Sequence, residues 1–297
     1  MDWLTFPWSD TDVYSLEVWV QDWSFVLFLG IFGLELIRLS FKKLISWRIL
    51  GDAVTNFITL YLFIGINFIL AATFYIAIFY VVYEHFSIIQ LPTNLWTIVG
   101  CLVLADLAYY WEHRFVHRVK FAWATHTVHH SSPYFNISVA FRFGPLDGFF
   151  PLFFHLPLAI LGFNPLVIFL CEAIVQIYQT VLHTEAVKKL PRPIEAVFNT
   201  PSHHRVHHGV NRQYLDKNYA GILIIWDKMF GTFAEEKDKV RFGVYPQINT
   251  INPIKVFFGG YWDLCKQCFQ CSNWRDRINT LIKPPGWEPA DNKLKEK

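Results

Sequence analysis

The sequence predicts an all-α integral membrane protein with about three transmembrane helices, a helical hairpin and a cytoplasmic cap rich in histidine. Three observations predict this fold class. Of the 297 residues, 53% are hydrophobic and only 17% are charged, whereas soluble domains carry about a quarter charged residues. The apolar residues form several stretches close to the roughly 20 residues that cross a bilayer. Nine of the twelve histidines fall into three tight clusters.

Three apolar stretches predict the transmembrane helices, over residues 23–37 with an extension to 41, over 57–83 and over 95–111. Residues 146–161 and 165–182 are each marginal for a full crossing. A Gly-Phe-Asn-Pro break at 162–165 lies between them and is a turn signal. We therefore expect these two segments to form a hairpin that enters the membrane and returns.

Basic residues set the expected orientation in the membrane. No Lys or Arg precedes Arg38, and Lys42, Lys43 and Arg48 follow it closely. The positive-inside rule then predicts an N-terminus outside and all histidine clusters on the cytoplasmic side, in either a bacterial inner membrane or the endoplasmic reticulum. Because no basic n-region or cleavage site is found at the N-terminus, we do not expect a removable signal peptide.

We expect a single membrane domain over residues 1–297, because no linker, low-complexity tract or internal repeat interrupts the chain. Its parts are N-terminal spans in 1–94, a core in 95–235 and a cytoplasmic C-terminal segment in 236–297. The formal net charge of +2 gives no sign of nucleic-acid binding. The sequence leaves the oligomeric state open.

The spacing within the histidine clusters indicates metal binding. The boxes are His113-x-x-x-His117, His126-x-x-His129-His130 and His204-x-x-His207-His208, and His203 directly precedes the third box and completes the nine. Residues three or four apart share a helix face, and so many imidazoles exceed the four ligands of a closed single-metal site. We expect His126 and His129 to share a face, with His130 rotated by about 100°. Adjacent histidines would then serve two different ions, and the same expectation applies to the third box.

Two polar stripes on apolar helices lead towards these clusters. One stripe contains Asp106, Tyr110, His113 and His117, and the other contains Glu172, Gln176, Gln179 and His183. Since polar groups are costly in hydrocarbon, both stripes are expected to face protein.

We interpret His183 as a further metal ligand. Asp106, Tyr110, Glu172 and Gln176 are interpreted as side chains that orient the ligands or the substrate. Asp106 in particular is expected to accept the second ring N–H of a ligating histidine, directly or through water or Tyr110. Helix packing is the alternative for Asp106 and Glu172.

The other histidines and the cysteines receive plainer interpretations. We expect a structural role for His155, an external loop around His85, and a position beside the ligands for His203. Three thiols, those of Cys265, Cys268 and Cys271, are spaced three residues apart. They either bind a metal, although a fourth ligand is missing nearby, or lie on an amphipathic helix at the membrane surface.

The type of ligand narrows the choice of metal. All-imidazole ligation suits zinc, copper, iron or nickel. Structural zinc sites close with four ligands, which these clusters exceed. A redox-active pair of metals beside lipid predicts oxygen chemistry, because an alkyl C–H bond reacts only with a metal–oxygen species. We therefore expect iron.

The boxes, together with Asp106-Leu-Ala-Tyr-Tyr-Trp-Glu-His-Arg, resemble the fatty acid hydroxylase / sterol desaturase superfamily of integral membrane di-iron enzymes. The resemblance covers about residues 95–235. The stretches His183-Thr-Glu, Asn199-Thr-Pro-Ser-His-His-Arg-Val-His-His-Gly and residues 216–233 are similar to its alkylglycerol monooxygenase branch. This pattern is specific for the superfamily and only weakly specific for the substrate.

The resemblance implies two iron ions, ligated by His113, His117, His126, His129, His130, His183, His204, His207 and His208. Some relatives have a further histidine where this chain has Gln179, which implies one ligand fewer here, or a place filled by water or by Gln179 itself. Asn218 and Asp227 match a downstream signature, which implies a supporting role, with a surface turn and a helix cap as the alternative. The implied reductant is tetrahydropterin, as in the alkylglycerol branch, or a separate electron-transfer protein.

These features predict an O2-dependent hydroxylase, a monooxygenase that acts on an alkyl or acyl lipid or a sterol. Desaturation is the alternative within the enzyme class. Two electrons must come from outside the chain, because it has no haem-domain signature and no Gly-rich flavin motif. A membrane metal carrier or a b-type haem protein is the alternative from another class. It fits less well, because a carrier places its ligands near mid-membrane, whereas the boxes lie at or beyond the ends of the predicted spans.

Overall fold

The computed structural model describes residues 7–70 and 74–289 and is nearly all helical. Twelve α-helices occur in this part of the chain: α1 Asp10–Phe41, α2 Trp47–Leu70, α3 Ile76–Phe86, α4 Leu95–Arg118, α5 Lys120–His130, α6 Phe150–Ile160, α7 Pro165–Thr180, α8 Arg192–Val197, α9 Pro201–His207, α10 Ile225–Met229, α11 Pro253–Gln270 and α12 Trp274–Ile282. A short 3-10 helix, Ile137–Phe141, follows α5. The same residues contain no β-strand, only two isolated bridges.

Three helices, α1, α2 and α4, are long and apolar enough to cross a membrane, which confirms the predicted number of spans. Helix α1 begins at Asp10, well before the apolar stretch at 23. Ser9 caps it: the Ser9 hydroxyl accepts the Asp12 N–H at 3.2 Å, and the Asp12 carboxylate accepts the Ser9 N–H at 2.9 Å. This reciprocal cap stabilises a polar first turn, so the helix extends beyond its apolar part.

Residues 57–83, predicted as one apolar stretch, fall mostly within α2 and α3, and residues 71–73 between these helices lie outside the described part. A single helix over this stretch therefore stays a prediction. Helix α2 begins at Trp47, ten residues earlier than predicted. Its first half carries Asp52 and Asn56, which are buried and hydrogen-bonded to the rest of the protein. Buried polar groups with partners are compatible with a membrane helix, and hydropathy alone does not detect them.

Arg142 joins α2 to the histidine-bearing region, residues 119–142 and 183–233, which we call the cap. Its guanidinium donates to the carboxylate of Asp52 at 3.0 Å and to the side-chain oxygen of Asn56 at 2.7 Å. It also donates to the Val128 carbonyl at 2.9 Å and to the Ser131 hydroxyl at 3.0 Å, at the end of α5. A single buried cation therefore fixes a membrane helix to the helix that carries the second histidine box.

A second polar contact joins α1 to the cap. The buried carboxylate of Glu35 accepts the Ile137 N–H at 2.8 Å and the Thr184 hydroxyl at 3.1 Å. Residue 137 opens the 3-10 helix, and residue 184 follows His183 directly. Both of the first two spans thus contact the cap through acidic side chains that hydropathy does not reveal.

The two helices of the predicted hairpin are confirmed as α6 and α7, joined by a turn at Gly162, whose φ is +100°, while their entry into the membrane stays a prediction. A Cβ at Gly162 would collide with the Ile89 carbonyl oxygen, so this position requires glycine. The turn is held by backbone bonds from Ile88 N–H to the Ile160 carbonyl at 2.8 Å and from Leu91 N–H to the Gly162 carbonyl at 2.9 Å. It lies beside the start of α1, because the Asn164 amide donates to Asp10 at 2.8 Å.

Helices α4 and α7 pack against each other and carry side chains towards the cap. Buried apolar residues of α4, α6 and α7, among them Cys101, Leu158 and Ile168, form the largest apolar cluster of the described residues. Helix α5 starts directly after α4, and α11 packs on it. This packing is close, since a Cβ at Gly260 of α11 would collide with the Ala124 carbonyl oxygen. The fold therefore brings the ends of α4 and α7 to the same place as α5.

We predict that Arg142→Ala destabilises the protein strongly, because it leaves the Asp52 carboxylate buried without its cation. Breaking such a pair costs about 3–5 kcal/mol, and thermal unfolding in detergent would show a clear drop in Tm. Lys189→Ala is the matched control, since its pair with Glu235 is exposed on both sides and exposed pairs contribute at most about 1 kcal/mol. An equal Tm for the two variants would refute the assigned role of Arg142.

Candidate metal centre

Nine buried or half-buried histidines, seven from the cap and two from the end of α4, converge and form two groups. The five-histidine group consists of His113, His117, His126, His130 and His207, and the four-histidine group consists of His129, His183, His204 and His208. Within each group, one ring nitrogen of every member lies within 4.8 Å of the others. These nine residues are the nine ligands predicted from the sequence. That they bind metal remains a prediction, but the structure brings all of them together.

Adjacent histidines divide between the groups as expected: His129 and His130 separate, and so do His207 and His208. The expected pairing within each box was wrong. His126 shares a group with His130, not with His129. The reason is the helix period, since residues four apart differ by about 40° around the axis and residues three apart by about 60° in the opposite sense. The i,i+4 pair therefore points more nearly in one direction.

The ring nitrogens approach one another closely. His113 Nε2 lies 3.2 Å from His126 Nε2 in the five-histidine group. In the four-histidine group, His183 Nε2 lies 3.2 Å from His129 Nε2 and 3.0 Å from His204 Nε2. Two imidazole nitrogens can lie this close if a proton lies between them or if both coordinate the same metal ion. Bonds from histidine to zinc, for example, are about 2.0–2.1 Å long.

Backbone carbonyls hold the opposite edge of several rings. Nδ1 of His113 lies 2.8 Å from the Tyr219 carbonyl, and Nδ1 of His207 lies 3.0 Å from the Lys217 carbonyl. Nδ1 of His183 lies 3.0 Å from the Gln179 carbonyl. A carbonyl accepts only, so each Nδ1 carries the proton and each Nε2 keeps its lone pair free. Carbonyls that accept the second ring N–H in this way are characteristic of metal-binding histidines.

Burial keeps the cap histidines neutral. Desolvation lowers the pKa of His183 to about 4 and that of His207 to about 3. It also holds the pKa values of His129, His130, His204 and His208 well below the ordinary value, and neighbouring histidines add to this effect. Neutral imidazole is the form that binds a metal.

Four of these rings have a buried Nε2 without a hydrogen-bond partner. They belong to His117, His130, His207 and His208. A buried nitrogen that lacks a partner is costly in an ordinary core. A metal ion would use these lone pairs, so the residues present fit two ions, one for each group.

The Asp106 carboxylate accepts no histidine N–H directly, and the expected role in orienting a ligand through water stays a prediction. Its carboxylate accepts the N–H groups of Ile222 at 2.6 Å and Leu223 at 2.9 Å, and the indole N–H of Trp226 at 2.8 Å. Gly221 lies so close that a Cβ would come within 2.5 Å of Asp106 Oδ1. Asp106 therefore fixes the segment 221–226, which continues from the residues whose carbonyls hold His113 and His207.

Tyr110 also contacts this segment and no histidine. Its hydroxyl lies 2.9 Å from the Thr232 hydroxyl, which in turn donates to Asp227 at 2.6 Å. The Asp227 carboxylate accepts the N–H groups of Tyr219 and Ala220 at 2.9 and 2.8 Å. The predicted stripe of α4 therefore exists, and its whole length faces residues 217–232.

Asn218 supports the same segment from the other side. It adopts a left-handed conformation, with φ +56°, which asparagine tolerates better than most residues. Its side-chain amide donates to the carbonyls of His203 at 3.1 Å and Ala234 at 2.8 Å, and its oxygen accepts the Ala234 N–H at 2.8 Å. Asn218 and Asp227 are both fully buried, so the surface-turn interpretation of these residues was wrong.

A cavity of about 260 Å³ adjoins both groups. The histidines in its wall are His113, His126, His129 and His183, and its other lining includes Phe63, Val116, Phe143 and Pro151. Glu172, Gln176 and Gln179 lie in the same wall, which is the place of the second predicted stripe. The Glu172 carboxylate accepts the Tyr75 hydroxyl at 3.1 Å. The cavity is thus mostly apolar with a few polar groups, as is typical of a small-molecule site.

Two acids in this wall, Glu112 and Asp147, were not among the site residues predicted from the sequence. One oxygen of Glu112 is buried without a hydrogen-bond partner. Asp147 accepts the Gly144 N–H at 2.6 Å and lies 3.7 Å from His126 Nδ1. A signal for Glu112 was available, since it directly precedes His113 in an apolar stretch, where an acid usually has a function.

The remaining histidines lie outside both groups. His203 Nε2 pairs with Glu195 at 3.0 Å. His155 is buried in α6, where Nδ1 lies 3.1 Å from the Pro151 carbonyl, and His85 is exposed in the last turn of α3 instead of in a loop.

The three clustered cysteines do not form a possible metal group among the described residues. They lie on and just after α11, where Cys265 is exposed and Cys271 is buried. Neighbouring apolar side chains of α11 divide in the same way, since Phe257 is buried while Trp262 and Phe269 are largely exposed. This distribution agrees with the amphipathic-helix interpretation.

Comparisons with known proteins agree with this site. Residues 98–232 match the family described as Fatty acid hydroxylase. The chain is 42% identical over 214 residues to an alkylglycerol monooxygenase of Danio rerio, covering 72% of this chain and 48% of that protein. The corresponding protein of Homo sapiens is 41% identical with the same coverage. An ornithine lipid hydroxylase, OlsE, of Rhizobium tropici is 32% identical over 152 residues, covering 51% of this chain and 45% of that protein. The chain spans about half the length of the curated relatives it matches. No solved structure is significantly similar to it.

We predict that His208→Ala lowers the metal content towards one ion per chain, because it leaves three histidines in the four-histidine group. His207→Ala leaves four ligands in its group and is expected to lose less metal. Elemental analysis of purified protein measures both, and His203→Gln is the control because His203 lies outside both groups. Unchanged metal content in His208→Ala would exclude the four-histidine group as a metal site.

We further predict that the metal-free protein loses stability as the pH falls below about 6.5, the ordinary histidine pKa. The unfolded chain takes up protons there, whereas His183 and His207 stay neutral in the folded state until about pH 4 and 3. Wherever the unfolded state binds more protons than the folded state, the free energy of unfolding decreases as the pH falls. The Tm of chelator-treated protein should therefore drop by several degrees between about pH 7 and pH 5.

The matched comparison for this pH effect is the double variant His183→Leu/His207→Leu. It lacks two of the depressed groups, so its Tm should depend less steeply on pH. Equal slopes for the variant and the unchanged protein would contradict the assignment of neutral, buried imidazoles.

Proposed function

We propose that this chain, whose residues 98–232 belong to the fatty acid hydroxylase family, is a membrane-bound hydroxylase that uses dioxygen and two iron ions to oxidise a lipid. The observation that carries the proposal is the position of the two histidine groups, which adjoin one mostly apolar cavity at the ends of membrane-type helices. Two bound iron ions would supply the activation of dioxygen that an alkyl C–H bond requires.

The residues of the chain would hold these ions and position the substrate. Nine imidazole nitrogens are the ligands, and carbonyls such as those of Tyr219 and Lys217 keep the lone pairs directed inwards. Phe63, Phe143 and Val116 would contact the alkyl chain and exclude water. The acids Glu112, Asp147 and Glu172 would bind polar atoms of the substrate or hold protons beside the site.

The lipid substrate would enter from the membrane. Helices α2, α4 and α7 contribute to the cavity wall, and two of them are membrane-type helices. This arrangement supports an acyl or alkyl lipid whose chain lies between helices and whose polar end lies at the interface. The names of the relatives, alkylglycerol monooxygenase and ornithine lipid hydroxylase, support the same substrate class.

We propose that the cap lies on the cytoplasmic side. Lys42 and Lys43 lie between α1 and α2, and Arg48 lies in the first turn of α2, at the end where Glu35 and Asp52 contact the cap. The start of α1, with Asp10 and Asp12, lies at the other end beside the hairpin turn. The positive-inside rule then gives an external N-terminus.

The test combines metal analysis with lipid analysis on the same protein. We expect two irons per chain, and a lipid that gains one labelled oxygen atom when the expressing cells receive labelled dioxygen. Cells that express the double variant His207→Ala/His208→Ala should lack this product, while His203→Gln should retain it. A lipid that loses two hydrogens without the label would indicate a desaturase. The proposal would be refuted if the protein contained no iron and no lipid were altered.

A further inference from the structure

Helix α11 carries a row of exposed apolar residues along one face. These residues are four, four, three and four positions apart, so they lie in one stripe along the helix. The stripe consists of Ile254, Phe258, Trp262, Cys265 and Phe269, all of them exposed. The opposite face, with Val256, Phe257 and Leu264, is buried. The outer face of α11 is therefore apolar where the surface of a soluble protein would be polar.

Helix α12 repeats this pattern. Trp274, Ile278 and Ile282 are four residues apart and are exposed by 73%, 46% and 55%, whereas Thr280 on another face is buried. Helix α12 packs on both α11 and α5. We call residues 253–282 the α11–α12 unit. Rows of exposed apolar side chains mark an interaction surface, unlike apolar residues that are scattered singly.

The α11–α12 unit begins beside a membrane-type helix. The Thr55 hydroxyl of α2 donates to the Ile251 carbonyl at 2.6 Å, two residues before α11. A Cβ at Gly51 of α2 would come within 2.7 Å of the Ile251 side chain. The start of α11 is therefore held against the first turns of α2.

This contact gives the depth of α11 relative to the membrane. Trp47, the first residue of α2, is exposed, and Trp is typical of the membrane–water interface. Gly51 and Thr55 lie about 6 and 12 Å further along the helix, at a rise of 1.5 Å per residue. A helix on the membrane surface buries its apolar face about 5–10 Å into the boundary between headgroups and acyl chains. With Trp47 at the interface, α11 begins at about that depth.

The charge of the α11–α12 unit and its first following residue matches an anionic lipid surface. Residues 253–283 contain five basic and two acidic side chains. The basic ones, all exposed, are Lys255, Lys266, Arg275, Arg277 and Lys283. The ammonium group of Lys266 lies 5.5 Å from the ring centroid of Trp262 in the stripe. Basic side chains beside Trp and Phe are typical of helices that lie in the interface and bind anionic headgroups.

The same charges disfavour a second copy of the chain as the partner. Two copies that met through this surface would bring their basic side chains together, and like charges across an interface weaken binding. A bilayer with anionic headgroups has the complementary charge and also accepts the apolar stripes.

Helix α11 lies between this surface and the helix of the second histidine box. A Cβ at Gly260 would collide with the Ala124 carbonyl oxygen of α5, so the two helices are in close contact. Together with α12 they enclose a second cavity of about 720 Å³, which Trp123 and Asp263 line. A contact between α11 and the bilayer would therefore also fix α5 relative to the membrane.

We propose that the α11–α12 unit lies in the headgroup region of the leaflet on the cap side and binds anionic phospholipids there. Its two apolar stripes insert between the acyl chains, and its basic side chains contact the phosphates. This inference goes beyond the proposed hydroxylase function and does not depend on it.

The first test measures whether lipid covers the stripe of α11. The full chain is placed in nanodiscs of phosphatidylcholine and phosphatidylglycerol in equal parts, and a charged maleimide that does not enter lipid reports thiol exposure. In Cys268→Ser the reacting thiol is Cys265 of the stripe, because the other cysteines are buried. Its rate, relative to that in protein unfolded in dodecyl sulfate, should be at least about 10-fold below that of the control thiol.

The control thiol is Asp263→Cys in a Cys265→Ser/Cys268→Ser background. Asp263 is exposed on the same helix but lies outside the stripe. Equal relative rates for the two thiols would show that the stripe faces water and would overturn the proposal. Nanodiscs that hold a single chain exclude a second copy as the cover. If Cys265 is protected only where two chains share a nanodisc, the stripe is an interface between copies and the proposal fails.

The second test measures the preference for anionic lipid. Protein is extracted from the mixed nanodiscs in mild detergent, and the phospholipids that stay bound are counted by mass spectrometry. Phosphatidylglycerol should be enriched about 5-fold over the supplied ratio, the factor expected for one basic residue near an anionic surface. Arg275→Gln/Arg277→Gln should lose most of this enrichment.

The matched control is Lys237→Gln/Lys239→Gln, which changes the net charge equally at exposed residues outside the α11–α12 unit. It should keep the enrichment. No enrichment in the unchanged protein, or an equal loss in both double variants, would overturn the assignment of this surface to anionic lipids.

Discussion

The structure depends on keeping nine neutral imidazoles together in a buried space. Lone pairs that face one another do not attract, yet Nε2 of His183 lies only 3.2 Å from that of His129 and 3.0 Å from that of His204. The surrounding protein must therefore impose the arrangement, or a metal ion must hold it. Burial lowers the pKa values of the cap histidines, so the rings stay available as ligands at neutral pH.

Many polar side chains around the site help to keep the imidazoles together without contacting them. Asp106, Tyr110 and Asp227 do not touch a histidine, but they hold residues 217–232, whose carbonyls fix the rings of His113 and His207. On the other side, Glu35 and Asp52 of the membrane helices hold the 3-10 helix and the end of α5. The membrane helices and the centre are therefore one structural unit, because buried charges join them.

The environment of the centre is asymmetric. The cavity of about 260 Å³ touches histidines of both groups and has acids in its wall, whereas a second cavity is lined by Trp123, whose ring lies beside His117 and His130 of the five-histidine group. The four-histidine group lies beside Phe135, which stacks on Phe242.

The sequence by itself determined the helical membrane class, the hairpin and the set of nine histidines, because hydrophobic length and ligand spacing are local properties of a chain. It could not determine where α1 and α2 begin, since the polar first turn of α1 depends on a cap and the polar residues in the first half of α2 depend on distant partners such as Arg142. The pairing that it predicted within the second and third boxes was wrong, and it did not reveal the partners of Asp106. Only the tertiary structure decided these points, because the partner of a buried carboxylate and the direction of an imidazole are set by segments far apart in the chain. Trp123 illustrates the same limit: nothing in its local sequence shows that it separates a cavity from the centre, which follows from the packing of α11 and α12 on α5.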